Sequence, residues 1–109
     1  MKKFLVLYRM DAAEMQKMMK EWSEEDKKTG MEEWNVWQKN HMADMADPGA
    51  PAGKNTTVGA SGAQEMSNDI AGYSVLKADS KEAVAKILED NPHLKMPGAT
   101  IDVMELMDM

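Results

Sequence analysis

Two stretches of this chain are apolar on both sides of an extended backbone. From Lys2 to Arg9, Phe4, Val6 and Tyr8 point one way and Leu5 and Leu7 the other. From Ile70 to Ala78, Ala71, Tyr73 and Val75 share one side, while Ile70, Gly72, Ser74 and Leu76 share the other. A strand that is greasy on both sides belongs in the middle of a sheet with both faces covered. Gly72 leaves a bare spot that another backbone or a ligand can approach.

Helical periodicity occupies much of the remaining chain. Met15, Met18, Met19 and Trp22 stand at i, i+3, i+4 and i+7, which predicts a helix over Asp11 to Trp22. Ser23, followed by Glu24, Glu25 and Asp26, starts a second helix, since acids favour the first turn. That helix is expected to reach about Met45. Met31, Trp34, Gln38, His41, Met42 and Met45 share its broad face, and Trp37 lies on the shoulder. Asp79 or Ser80 caps a third helix, with Ala83, Val84, Ile87 and Leu88 as its buried stripe. Asn91-Pro92 ends it.

The polar stretches are punctuated differently. Asp47 to Gly53 is dense in proline and glycine and predicts a turn or ordered loop. Lys54 to Val58 reads as a short polar strand towards a sheet edge, and Gly59 to Asp69 as the most mobile segment. After Pro97-Gly98, a last strand over Ala99 to Met107 alternates Ile101, Val103 and Glu105 against Asp102, Met104 and Leu106.

The order is β, α in two pieces, β, β, α, β. Two split βαβ units predict one α+β domain over residues 1–109, a ferredoxin-like βαββαβ sandwich with an antiparallel sheet and its helices on one face. The other face is then apolar and uncovered, so a second copy is expected to cover it.

Composition narrows the function classes. A chain of 109 residues holds one domain. A net charge of −6 disfavours a nucleic-acid partner or an anionic membrane. The absence of cysteine removes disulfides, thiol nucleophiles and thiolate metal sites. The start, MKKFLVLYRM, has too short an apolar core for a signal or a membrane span, and a cytoplasmic location is expected. Thirteen methionines predict an adaptable, Met-filled core.

Several short motifs, in this order and spacing, resemble the YCII-related family across nearly the whole chain. They are FLVLYR at the start, Met31-Glu-Glu-Trp34-Asn-Val-Trp37, Asp47-Pro-Gly-Ala-Pro-Ala-Gly53-Lys54, Ile70-Ala-Gly-Tyr73-Ser-Val and Asn91-Pro-His93-Leu. The resemblance implies a dimeric α+β barrel, in which two ferredoxin-like sheets pack face to face around a cleft. It also implies a family without one settled activity, some members of which were proposed to be enzymes from a His–Asp pair. The Asp-Gly-Pro-Phe motif of another branch is replaced here by Gly62-Ala-Gln-Glu65, so no catalytic assignment carries over from that branch.

Few residues carry candidate chemistry. His41, with Asp44 a turn away and Asp47 opening the next loop, could act as a general base, since a neighbouring acid fixes the tautomer of the ring. His41 with Asp47 is the expected catalytic pair. Tyr8, Trp34, Lys54 and Tyr73 are the expected ligand contacts, Lys54 as a point charge for an anionic group. Each has a plainer use: a rim histidine, packed aromatics, a solvated edge lysine. His93, just past a helix end, reads as structural. No metal motif, phosphate loop or dinucleotide fingerprint is present, and no cofactor is expected. The expectation is a homodimer binding a small, partly apolar molecule, with His/Asp acid–base chemistry. The alternatives are a non-catalytic interaction or accessory module with a filled dimer core and, by fold analogy alone, a cofactor-free oxygenase.

Overall fold

A computed structural model describes residues 1–107. The elements are β1 (Lys2–Arg9), α1 (Ala12–Glu21), α2 (Glu24–Asn40), β2 (Met45–Pro51), β3 (Thr56–Gly59), β4 (Gly62–Glu65), β5 (Ile70–Ala78), α3 (Lys81–Leu88) and β6 (Thr100–Glu105). Short 3-10 turns cover Met42–Asp44 and Pro92–Lys95. The main sheet has the order β2-β5-β1-β6 with every pair antiparallel, and β3 and β4 form a separate hairpin. This is the ferredoxin-like arrangement, and the two doubly apolar strands are its central pair.

Register decides which side chains meet the helices. Phe4 lies opposite Leu76, and Val6 opposite both Ser74 and Val103. Phe4, Val6 and Leu76 are fully buried there, packed with Trp37 of α2 and Val84 and Leu88 of α3. On the other face Leu5 lies opposite Val75 and Met104, and Leu7 opposite Tyr73 and Asp102. No described helix covers that face, and Tyr73 and Met104 remain 37% and 44% exposed.

Caps delimit the helices. Asp11 accepts from the amides of Ala13 and Glu14, and Ser80 from that of Ala83. Ser23 and Asp26 form a reciprocal capping box at the start of α2. The break between α1 and α2 therefore falls at Trp22–Ser23, as the sequence predicts.

Several expectations are corrected. The second helix stops at Asn40 rather than near Met45, and the chain tightens into a 3-10 turn. Its buried residue is Trp37, the expected shoulder, while Met31 and Met42 stay 69% and 67% exposed. The helix is turned towards its Trp37 shoulder, because the large indole buries more apolar area than a methionine, while Trp34 and Met45 of the expected face still pack against the core. For the same reason the methionines are mostly surface residues: Met10 alone joins the fully buried set among the described residues.

The largest correction concerns Asp47 to Gly53. Instead of a loop, Met45–Pro51 is the edge strand of the main sheet, and the pairing continues through the Ala52 amide to the Ala71 carbonyl at 2.9 Å. An edge strand tolerates prolines, which have no amide to donate, and two register shifts absorb the irregular residues. The strand expected over Lys54 to Val58 at a sheet edge is Thr56–Gly59, which pairs with Gly62–Glu65 instead of the main sheet, so the supposedly mobile stretch contains a strand. The last strand ends at Glu105 rather than Met107.

The bare spot at Gly72 is filled by backbone: a Cβ there would sit 3.0 Å from the Ala50 carbonyl oxygen. Gly49, across the same crossing, has φ +72°, and a Cβ would lie 1.8 Å from the Tyr73 carbonyl oxygen. Gly49→Ala should therefore lift β2 off the sheet. A loss of at least about 2 kcal/mol is expected, read as a fall in Tm of roughly 10 °C on calorimetry. An unchanged Tm would mean that β2 is not seated as described.

Candidate functional site

The C-terminal end of α2 carries the densest polar chemistry. Trp37 and His41 are four residues apart, so they stack along one side of the helix end, ring centroids 5.0 Å apart. The His41 amide closes the helix onto the carbonyls of Trp37 and Gln38. The 3-10 turn that follows brings an Asp44 carboxylate oxygen to 3.8 Å from His41 Nδ1. From the far side, just past α3, Asp90 Oδ1 stands 3.5 Å from His41 Nε2 and accepts a hydrogen bond from Trp37 Nε1 at 3.1 Å. The imidazole is thus held against an indole with a carboxylate beside each nitrogen, and its side chain is 20% exposed. Such a ring has its orientation fixed and keeps access to water.

Two depressions flank this arrangement. One, of about 480 Å³, is lined by His41, Asp44, Lys77, Asp79 and Lys86 together with the apolar Ala78, Ala83 and Ile87, and the exposed Met1 lies at its edge. The other, of about 350 Å³, lies between α2 and the Pro92–Lys95 turn, bounded by Val36, Trp37, Asp90 and Pro92. Both are shallow and broadly open to solvent.

A second polar group lies buried between sheet and helices. The Tyr8 hydroxyl is 2.8 Å from Ser74 Oγ, and the Tyr8 ring packs edge-on against Trp34, centroids 5.1 Å apart. His93 is 2% exposed, and its Nε2 reaches the carbonyl oxygens of Arg9 at 2.9 Å and Thr100 at 3.1 Å. Both partners only accept, so Nε2 carries the proton. His93 joins β1 to β6 rather than bonding the end of α3, and its structural role stands. Asn91, also 2% exposed, accepts from the His93 amide at 2.8 Å, while its Nδ2 has no well-formed partner. Burial pushes the Tyr8 phenol above its ordinary value, and the neighbouring Ser74 and Asn91 side chains only partly oppose that shift.

The open sheet face holds the remaining candidates. The Tyr73 hydroxyl donates to Asp47 Oδ2 at 3.4 Å, and Asp47 Oδ1 accepts from the Gly49 amide at 2.8 Å. At the end of the sheet, Arg9 bridges Asp69 and Asp102, each at 2.6 Å. Hydrogen bonding to Arg9 holds the Asp69 carboxyl below the usual carboxylate range, and the pair raises Arg9 in turn. Lys54 has φ +49° and lies exposed in the link between β2 and β3, outside both depressions.

The six sequence candidates are therefore dispersed. Trp34 meets Tyr8 and Asp47 meets Tyr73, but on opposite faces of the sheet. His41 pairs with Asp44 and Asp90, while Asp47 is engaged elsewhere. Asp90 carries no sequence signal: it lies in the link after α3, and only tertiary packing brings it to His41. Among the described residues, no cluster of three or more His, Asp or Glu side chains is arranged to hold a metal, and no helix is long and apolar enough to cross a membrane.

Comparison with known protein families found no match, and comparison with curated proteins found none either. Among solved structures the chain is similar to 5-chloro-2-hydroxyhydroquinone dehydrochlorinase of Burkholderia phenoliruptrix AC1100, determined in complex with 2,5-dihydroxybenzoquinone. The TM-score is 0.54 over 92% of this chain and 90% of the other, at 13% identity. The two share a fold.

The buried phenol gives a pH signature. Below pH 10 Tyr8 is neutral whether folded or not; above it the unfolded chain ionises first, so stability falls as pH rises. Tyr8→Phe should flatten that alkaline limb in urea unfolding between pH 9 and 11. An alkaline limb as steep in the variant as in the native chain would place the titrating group elsewhere.

Proposed function

We propose that this chain is a YCII-related protein acting as a homodimer, and that it binds a small, partly apolar molecule on which His41 performs proton transfer. The observation that carries the chemistry is the His41 ring, braced on Trp37 between Asp44 and Asp90 at the wall of a depression that also holds Ala78, Ala83 and Ile87. Asp90 stands beside Nε2 and orients the ring, and Nδ1, on the side where His41 and Asp44 line the depression, exchanges the proton with the bound molecule in place of its 3.8 Å approach to Asp44. Asp44 and Asp90 take the part that Asp47 was expected to play. The shared fold supports the size class, since the dehydrochlorinase holds a small quinone on the same architecture.

The pairing rests on surface area. The chain exposes 7995 Å², against roughly 6,100 Å² for a compact monomer of its mass. Its radius of gyration is 15.3 Å, against about 13 Å for a compact chain of this length. The excess of about 1,900 Å² per copy is in the range that permanent dimers bury. The open sheet face, with Leu5, Leu7, Val75 and Met104, is the first surface to contribute it.

A second reading is favoured by α1, none of whose residues is buried and whose Met19 is 61% exposed. On that reading the outer helical layer docks a protein partner and the module is not catalytic.

Two measurements test the proposal. Sedimentation at micromolar concentration should give twice the 12.2 kDa chain mass, and Leu7→Asp should return it to monomer. A native chain sedimenting as monomer removes the pairing. Thermal-shift screening with small aromatic acids and quinones, followed by turnover assays, should identify a substrate whose turnover falls about 100-fold or more in His41→Ala. Undiminished turnover in that variant takes His41 out of the site.

A further inference from the structure

We infer that the β3–β4 hairpin is a clasp that packs on a second copy of this chain, an inference that rests on the homodimer proposed above. Every residue of Thr56–Gly59 and Gly62–Glu65 is exposed, and Val58, the one branched apolar side chain of the hairpin, is 76% exposed. Neither strand joins the main sheet. An isolated two-stranded hairpin is at best marginally stable in water, so a lasting one needs a surface to lie against. Among the described residues, the chain's own helices and main sheet leave every hairpin residue exposed.

Areas say where that surface is. A four-stranded face about six residues long spans roughly 19 Å by 20 Å, near 400 Å² in projection. Even allowing for side-chain relief, the open face accounts for only part of the excess of about 1,900 Å² per copy. The remainder lies in elements that stand away from the body, and the hairpin is the most exposed of these. It leaves from the end of β2, the edge strand whose Asp47 and Ala50 lie on the same open face as Val75 and Tyr73. A hairpin rooted there is continuous with the proposed pairing surface. Val58 and Ala63, directly opposite each other, share one face of the hairpin and form its small apolar contact patch. Thr57 and Gln64 occupy the other side. Thr56 and Glu65, the next pair on the Val58 and Ala63 face, place the hairpin's single charge at its root beside that patch.

The full-length chain is compared with Val58→Asp and with a variant in which Thr56–Glu65 is replaced by Gly-Gly, by sedimentation over a dilution series and by amide hydrogen exchange. Both variants should weaken the dimer at least tenfold while the far-ultraviolet circular dichroism of the body is retained. In the native chain, hairpin amides should become protected only at concentrations where the dimer forms. A native dimer whose hairpin exchanges freely, and whose dissociation constant is unaffected by both changes, overturns the clasp and leaves the sheet-face pairing intact. A monomeric native chain overturns both.

Discussion

The constraint on which the rest depends is a four-stranded sheet with apolar side chains on both faces and helices on only one. Phe4, Val6 and Leu76 find partners in Trp37, Val84 and Leu88. Leu5, Leu7, Val75 and Met104, on the opposite face of the sheet, have no helix over them among the described residues. The mismatch follows from the length. Three helices, one of them without a buried residue, can cover one face of such a sheet and no more. The thin body, 20 Å across its shortest axis, is the geometric expression of this single buried layer.

The same layer creates the His41 site. Trp37 is the one fully buried residue of α2, and it serves two ends. Its ring completes the core over β1 and β5, and its Nε1 holds Asp90 in the link after α3. His41, one turn beyond, is thereby placed between an acid from its own 3-10 turn and an acid from a distant link. Core packing and site geometry are set by one side chain. The buried Tyr8–Ser74 contact and the His93 bridge between β1 and β6 lie in the same layer and lock the strands over which α2 sits.

Much of the fold was legible along the chain, for identifiable reasons. Strands 2–9 and 70–78 announced themselves because period-two parity is a local property and both parities were apolar. Ser23, Ser80 and Asn91-Pro92 marked helix ends because capping uses side chains within three residues of the end. The edge strand was hidden because Pro48, Gly49 and Pro51 signal a loop by local conformation, and only pairing with β5 makes them a strand. The rotation of α2 was hidden because several methionines and tryptophans fit one broad arc. The choice among them was made by the shape of the sheet beneath.

The amino-acid sequence by itself determined the element order, the central strand pair, the helix caps and the presence of one histidine near carboxylates. Each depends on neighbours within a few residues. Tertiary structure alone decided which carboxylates reach His41, that Tyr8 and Tyr73 face opposite ways across the sheet, and that residues 56–65 stand clear of the body. Those outcomes depend on register and on contacts between residues tens of positions apart, for which a linear pattern holds no distance.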